Sequence, residues 1–236
     1  MHSEQEFGGG NLQKFNFSGY SLVFVLGAAA FLVMLAAGIT GPARTATKAV
    51  PVATLLVLVL RDMGGFVRFC LAGALLGSVA GDILLDLPYD ALFVFGLAAF
   101  LAGHLFYTLL FFRYARLPGG FETAVTAAMV IFAAAMIWLF SGIDPALFKP
   151  VVLYILVIVA MSIGALLVPA ADRLLFYGAF IFIASDVVLA VNKFLIPVPA
   201  GRIINITLYF TAQYIIIAAA RAIWKPSRRI SMRSNK

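Results

Sequence analysis

Apolar stretches of about 20 residues recur along the whole chain, with turns between them too short to hold a soluble domain. A helix of that length crosses a hydrocarbon layer about 30 Å thick. Inside lipid every backbone N–H and C=O must find a partner within the protein, which leaves helices and closed barrels. A barrel needs short segments alternating apolar and polar residues, and no such pattern is present. The chain therefore reads as an all-α integral membrane bundle of eight helices, at about 20–39, 46–60, 66–85, 89–112, 121–140, 146–168, 174–195 and 203–224. The second is short, with Pro51 near its start, where proline is tolerated.

Composition agrees, with 11% charged residues where soluble domains carry roughly 25%. Residues 1–18, which include Gly8-Gly9-Gly10, read as a flexible tail; 19–224 as one transmembrane domain; and 225–236 as a basic tail. The leader carries Glu4 and Glu6, so the first run is expected to be a span rather than a signal peptide. One cysteine, Cys70, permits no internal disulfide, and two histidines leave little for a multi-histidine metal site.

Charge placement sets the expected orientation. Twelve lysines and arginines fall with the N-terminus and the tail, and five (Arg44, Lys48, Lys149, Lys193 and Arg202) fall on the opposite side. Both termini are accordingly expected in the cytoplasm, with the basic tail near anionic headgroups. Nucleic acid is not an expected partner. The expected location is a bacterial inner membrane, though a eukaryotic internal membrane fits the same bias.

Within the spans, Asp82 and Asp186 stand out. A carboxylate at mid-bilayer costs at least ~2.5–3.5 kcal/mol on insertion scales, so its default reading is functional. Their surroundings are alike: Ala80-Gly81-Asp82-Ile83-Leu84-Leu85 and Ala184-Ser185-Asp186-Val187-Val188-Leu189. Four helices separate the two, so an old duplication would give two similar four-helix halves pointing the same way, both aspartates facing one cavity.

Other polar residues fall on helix faces. Asn205, Tyr209 and Gln213 form a stripe on the eighth span, and His104 and Tyr107 share a face of the fourth. Asp186 and Lys193 project from one side of the seventh, Lys48 opens the second, and Tyr154 lies in the sixth. Asp86 is expected at the aqueous edge. These groups must face the bundle interior, where the tyrosines, Asn205 and Gln213 can equally well bridge helices. The lysines can equally snorkel to the interface. Gly73, Gly77 and Gly81, four apart, read as a close-packing stripe.

At these residues the chain resembles the YhhN-like family of membrane proteins, which includes the lysoplasmalogenases. The similar pieces are Gly81-Asp82-Ile83-Leu84-Leu85; Gly96-Leu97-Ala98-Ala99-Phe100-Leu101 leading to His104 and Tyr107; and the run from Gly178 to Ala190 around Asp186. Lys193-Phe194, Tyr209 with Gln213, and Lys48 before Pro51 complete the set, over roughly 20–222. The resemblance implies hydrolysis of the vinyl ether of a lysoplasmalogen, a lysophospholipid, to a fatty aldehyde and glycerophosphocholine or glycerophosphoethanolamine. It implies no cofactor and no metal.

Vinyl ether hydrolysis needs a neutral acid to protonate the outer alkene carbon and a stabiliser for the resulting oxocarbenium ion. Burial and a neighbouring carboxylate both favour a protonated carboxyl. Asp82 and Asp186 are therefore the catalytic candidates, with their roles left open. Lys48 and Lys193 are candidates to hold the phosphate, and His104, Tyr107, Tyr209 and Gln213 to orient water or the glycerol hydroxyl. Tyr154, Ser185 and Asn192 join the substrate-binding set. The alternatives are a proton-coupled transporter, a lipid-binding membrane protein and, more weakly, a metal-dependent hydrolase.

Overall fold

The computed structural model describes residues 19–170 and 173–225; the glycine-rich tail and most of the basic tail lie outside that range. It contains eight α-helices: α1 (Gly19–Ala36), α2 (Pro42–Asp62), α3 (Gly65–Asp86), α4 (Phe93–Arg113), α5 (Gly120–Leu139), α6 (Pro145–Leu167), α7 (Leu174–Phe194) and α8 (Gly201–Trp224). All eight are long and apolar enough to cross a membrane, and there is no strand among the described residues. The protein is a multi-pass integral membrane protein.

Two spans differ from the sequence expectation. α2 begins at Pro42 in its first turn, so Pro51 lies mid-helix and Lys48 lies nearly two turns in. Proline inside a transmembrane helix is tolerated when neighbours cover the freed backbone. Here Gly27 of α1 lets that helix press onto the site: a Cβ on Gly27 would lie 2.9 Å from Val50 Cγ1 and 3.5 Å from Pro51 Cδ. α4 starts at Phe93 rather than Tyr89, because a 3-10 turn at Asp90–Leu92 follows Pro88.

The closest pairings are α3 with α4 and α7 with α8. Around them the neighbours run in parallel through the two halves: α1–α2 and α2–α3 on one side, α5–α6 and α6–α7 on the other, with α4–α6 and α2–α8 crossing between. Four-plus-four duplication would generate such pairings.

The glycine stripe does what its spacing suggested. A Cβ on Gly77 would fall 2.7 Å from the Ala99 carbonyl oxygen and 2.9 Å from Gly103 N, and one on Gly103 would fall 2.9 Å from the Ala74 carbonyl oxygen. α3 and α4 thus meet backbone to backbone, which brings Asp82 and His104 toward the same interior. Since backbone cannot swing aside as a side chain can, Gly77→Ala should cost about 1–3 kcal/mol in thermal unfolding of the detergent-solubilised protein. Gly142→Ala, with nothing within 4 Å of its Cβ, is the control; equal melting of the two variants would contradict this packing.

Candidate active site

α2 and α3 run antiparallel and are joined by two charged rungs one turn apart. In the inner rung, Lys48 Nζ lies 3.3 Å from Asp82 Oδ1 and donates to the Asp82 carbonyl oxygen at 3.2 Å. The hydroxyl of Tyr209, reaching over from α8, donates to Asp82 Oδ2 at 2.7 Å. Asp82 Oδ1 is buried and takes part in no hydrogen bond. In the outer rung, Arg44 Nε donates to Asp86 Oδ2 at 3.2 Å, Thr45 donates to the same oxygen at 2.7 Å, and Arg202 lies 2.6 Å from Oδ1. Asp86 is therefore not at an aqueous edge: its carboxylate is fully buried beneath three donors.

Asp186 is held differently. Tyr154 of α6 donates to its Oδ2 at 2.8 Å, and His104 Nε2 lies 4.0 Å away, beyond hydrogen-bond reach. His104 is buried with neither ring nitrogen hydrogen-bonded, wedged edge-on against Tyr154 and Phe182. Among the described residues no lysine or arginine is paired with Asp186, in contrast to Asp82.

Two cavities meet at Asp186. The first, with an empty volume of about 620 Å³ including its open mouth, is lined almost wholly by apolar side chains. Phe93, Leu97, Phe132, Met136, Ile158 and Phe194 of α4 to α7 surround it, with Tyr154 and Asp186 as its polar members. The second, the polar chamber, of about 720 Å³ including its open mouth, brings together Lys48, Asp82, Asp186, Asn192, Lys193, Arg202, Asn205 and Tyr209, with Leu85, Phe100, Leu189 and Ile206 between them. Such a pair of chambers suits an amphiphile, with a chain in one, a charged head in the other, and Asp186 at the join.

The sequence candidates divide in this frame. Lys48, Asp82, Ser185, Asp186, Asn192, Lys193 and Tyr209 line the polar chamber, and Tyr154 lines the apolar one. Ser185 is engaged in an α7–α8 staple, donating to the Asn205 carbonyl oxygen while the Asn205 amide donates back to its carbonyl and hydroxyl oxygens. Asn192 Oδ1 accepts from Val198 N and so shapes the loop before α8. Lys193 is exposed, its ammonium 4.8 Å from the centre of the Phe93 ring.

Tyr107 and Gln213 line neither chamber. Tyr107 donates to Gln213 Oε1 at 2.8 Å, and the Gln213 amide donates to Ser78 at 2.9 Å, which locks α4, α8 and α3 together. Lys48 does not snorkel; it is buried. Sequence reasoning missed Arg44 and Arg202, which it had counted as loop charges. Arg202 could have been found, for it lies three residues before Asn205 and seven before Tyr209, on the same polar stripe. Among the described residues no three His, Cys, Asp or Glu side chains converge as metal ligands.

The YhhN family model matches residues 43–220. The chain belongs to the YhhN family. Among curated proteins it is 34% identical to pig lysoplasmalogenase TMEM86B, over 72% of this chain and 71% of that one. It is 32% identical to the human protein of that name, over 69% and 67% respectively. A lysoplasmalogenase of Mycobacterium tuberculosis is 36% identical over 55% of this chain and 51% of its own. No solved structure matches. The YhhN match begins beside Arg44 and ends after Gln213, so it takes in both charged rungs and both chambers.

The inner rung sets a test independent of any substrate. Removing one member of a buried ion pair leaves the other charge uncompensated, at a cost of about 3–5 kcal/mol. Lys48→Met should lower thermal stability by that order, and the double variant Lys48→Met/Asp82→Asn should recover a substantial part. A double variant as unstable as the single one would show that the pair does not carry the interaction.

Proposed function

We propose that this protein is a lysoplasmalogenase, hydrolysing the vinyl ether of a lysoplasmalogen to a fatty aldehyde and a glycerophospho-base, either glycerophosphocholine or glycerophosphoethanolamine. The observation that carries the reading is the position of Asp186 between an apolar and a polar chamber. A lysoplasmalogen is divided in the same way: alkenyl chain on one side, glycerophosphate head on the other, and the reactive –CH=CH–O– unit between them.

In this reading Asp186 is the general acid. Among the described residues its partners are a tyrosine hydroxyl and a histidine 4.0 Å away, and no lysine or arginine is paired with it to hold it as a carboxylate. It gives its proton to the outer alkene carbon, leaving an oxocarbenium ion centred on the carbon bonded to oxygen. Asp82, whose charge is matched by Lys48, remains ionised, and its Oδ1 accepts a proton from the attacking water. Water adds to the oxocarbenium carbon; on collapse of the hemiacetal Asp82 passes its proton to the leaving glycerol oxygen and the hemiacetal hydroxyl gives its proton to Asp186, so that aldehyde and glycerol hydroxyl form and both carboxyl groups are restored. One water is consumed and no cofactor is needed. Tyr154 and Tyr209 orient the two carboxyl groups, and His104 closes the back of the site. Lys193 stands at the head of the polar chamber, while Lys48, engaged by Asp82, serves the carboxylate before any substrate phosphate.

We also propose that both termini face the cytoplasm of a bacterial inner membrane, on the positive-inside bias. A green fluorescent protein fused to the C-terminus should fluoresce under that topology, and a dark but inserted fusion would reverse it.

The decisive experiment is aldehyde release from a lysoplasmalogen by purified protein, with the acyl-lysophospholipid as control. General acid–base catalysis contributes typically ~10²–10⁴-fold, so Asp186→Asn and Asp82→Asn should each lose at least about 100-fold while remaining folded. Tyr154→Phe, which removes one hydrogen bond worth about 1 kcal/mol, should lose only about fivefold. Retained activity in Asp186→Asn would remove that residue from the mechanism. No aldehyde from wild type, with substrate movement in liposomes, would favour a transporter.

A further inference from the structure

We propose that Arg202 is the anchor for the phosphodiester of the substrate, making the enzyme selective for phosphate-bearing lipids over neutral glycerol ethers. This rests on the hydrolase reading for the identity of the lipid, but the binding argument stands on the charge arrangement alone.

The outer rung holds two guanidinium groups on one carboxylate. Arg44 is buried and fully occupied: Nε donates to Asp86 Oδ2, Nη1 to the Ile39 carbonyl oxygen and Nη2 to the Asp86 carbonyl oxygen. Arg44 supplies the one positive charge that balances Asp86 and, with Thr45, bonds its Oδ2, which leaves Oδ1 to Arg202. Arg202 donates from Nη2 to Asp86 Oδ1, with 45% of its side chain exposed, and it lines the polar chamber. One positive charge is therefore left over at the chamber mouth, carried by a guanidinium with donors to spare.

A phosphodiester carries one negative charge and two non-bridging oxygens, which match a guanidinium fork. Arg202 is the second residue of α8, so the helix dipole adds to the same positive field. Arg202 sits at the outer rung, one turn beyond the level of Asp82, so a phosphate there places the glycerol ether oxygen deeper, toward the carboxylates. Lys48 has no comparable freedom, because its ammonium is buried against Asp82.

The test uses wild type, Arg202→Met and Arg202→Lys in nanodiscs. Two radiolabelled probes lack the vinyl bond and are not hydrolysed: 1-O-hexadecyl-lysophosphatidylcholine and 1-O-hexadecylglycerol. The readout is the ratio of their affinities. Wild type should favour the phospholipid, Arg202→Met should shrink the preference by about tenfold or more, and Arg202→Lys should fall between. Equal weakening of both probes would assign Arg202 a structural role and overturn the proposal. A preference that survives in Arg202→Met, or is absent in wild type, would overturn it too. Aldehyde release is measured on the same preparations. A wild type that releases none, yet loses phospholipid preference in Arg202→Met, would sink the hydrolase reading and leave the anchor standing.

Discussion

The buried Lys48–Asp82 pair is the interaction on which the rest of the interior depends. An isolated charge inside a bilayer bundle is costly, so once Asp82 is ionised, α2 must bring Lys48 to it and keep it there. That requirement fixes the sliding register of α2 against α3. With Lys48 opposite Asp82, one turn outward on both helices brings Arg44 opposite Asp86, and the second rung follows from the first. Tyr209, bonded to Asp82 from α8, ties a third helix to the same point. The wall of the polar chamber is thus set by electrostatics, whereas the α3–α4 wall is set by glycine packing.

The two aspartates, similar in sequence, end in different company. Asp82 has a cation, a tyrosine hydroxyl and almost no exposure; Asp186 has a tyrosine hydroxyl and 15% of its side chain open to the chambers. In the proposed mechanism that difference becomes a division of labour, one carboxyl held charged by its cation and one serving as the acid. Asp186 stands where the apolar and polar chambers meet, so in the proposed mechanism amphiphile geometry would set the position of the scissile bond.

The span count and the inward placement of both aspartates were legible because each rests on a local rule: segment length against bilayer thickness, and the cost of charge in lipid. The roles of the lesser polar residues were less so. Polarity within a span says that a side chain faces inward, not which inward surface it meets. Tyr107 and Gln213 therefore looked like site residues, although they satisfy one another and Ser78 away from both chambers. The opposite error befell Arg202, whose position at a helix start made it look like a topology signal. Asp86, near a helix end, looked solvated because nothing in sequence announced that Arg44 and Arg202 would converge over it. Pro51 looked like a helix start because its accommodation depends on Gly27, a residue on another helix.

The parallel neighbour pattern of the two halves gives the asymmetry of the aspartates a structural origin. If α1–α4 and α5–α8 derive from one ancestral unit, α2 corresponds to α6 and α4 to α8. The helix that supplies Lys48 to Asp82 is then the counterpart of the helix that supplies Tyr154 to Asp186. Likewise each aspartate meets a ring from the last helix of the opposite half, Tyr209 for Asp82 and His104 for Asp186. The scaffold would have kept both carboxyls facing one interior while exchanging the partner on the second helix of each half, lysine in one and tyrosine in the other. A single such exchange would turn two equivalent carboxyl groups into one paired with a cation and one bonded to a tyrosine hydroxyl. Duplication would thus have supplied the proximity, and divergence at α2 and α6 the chemistry.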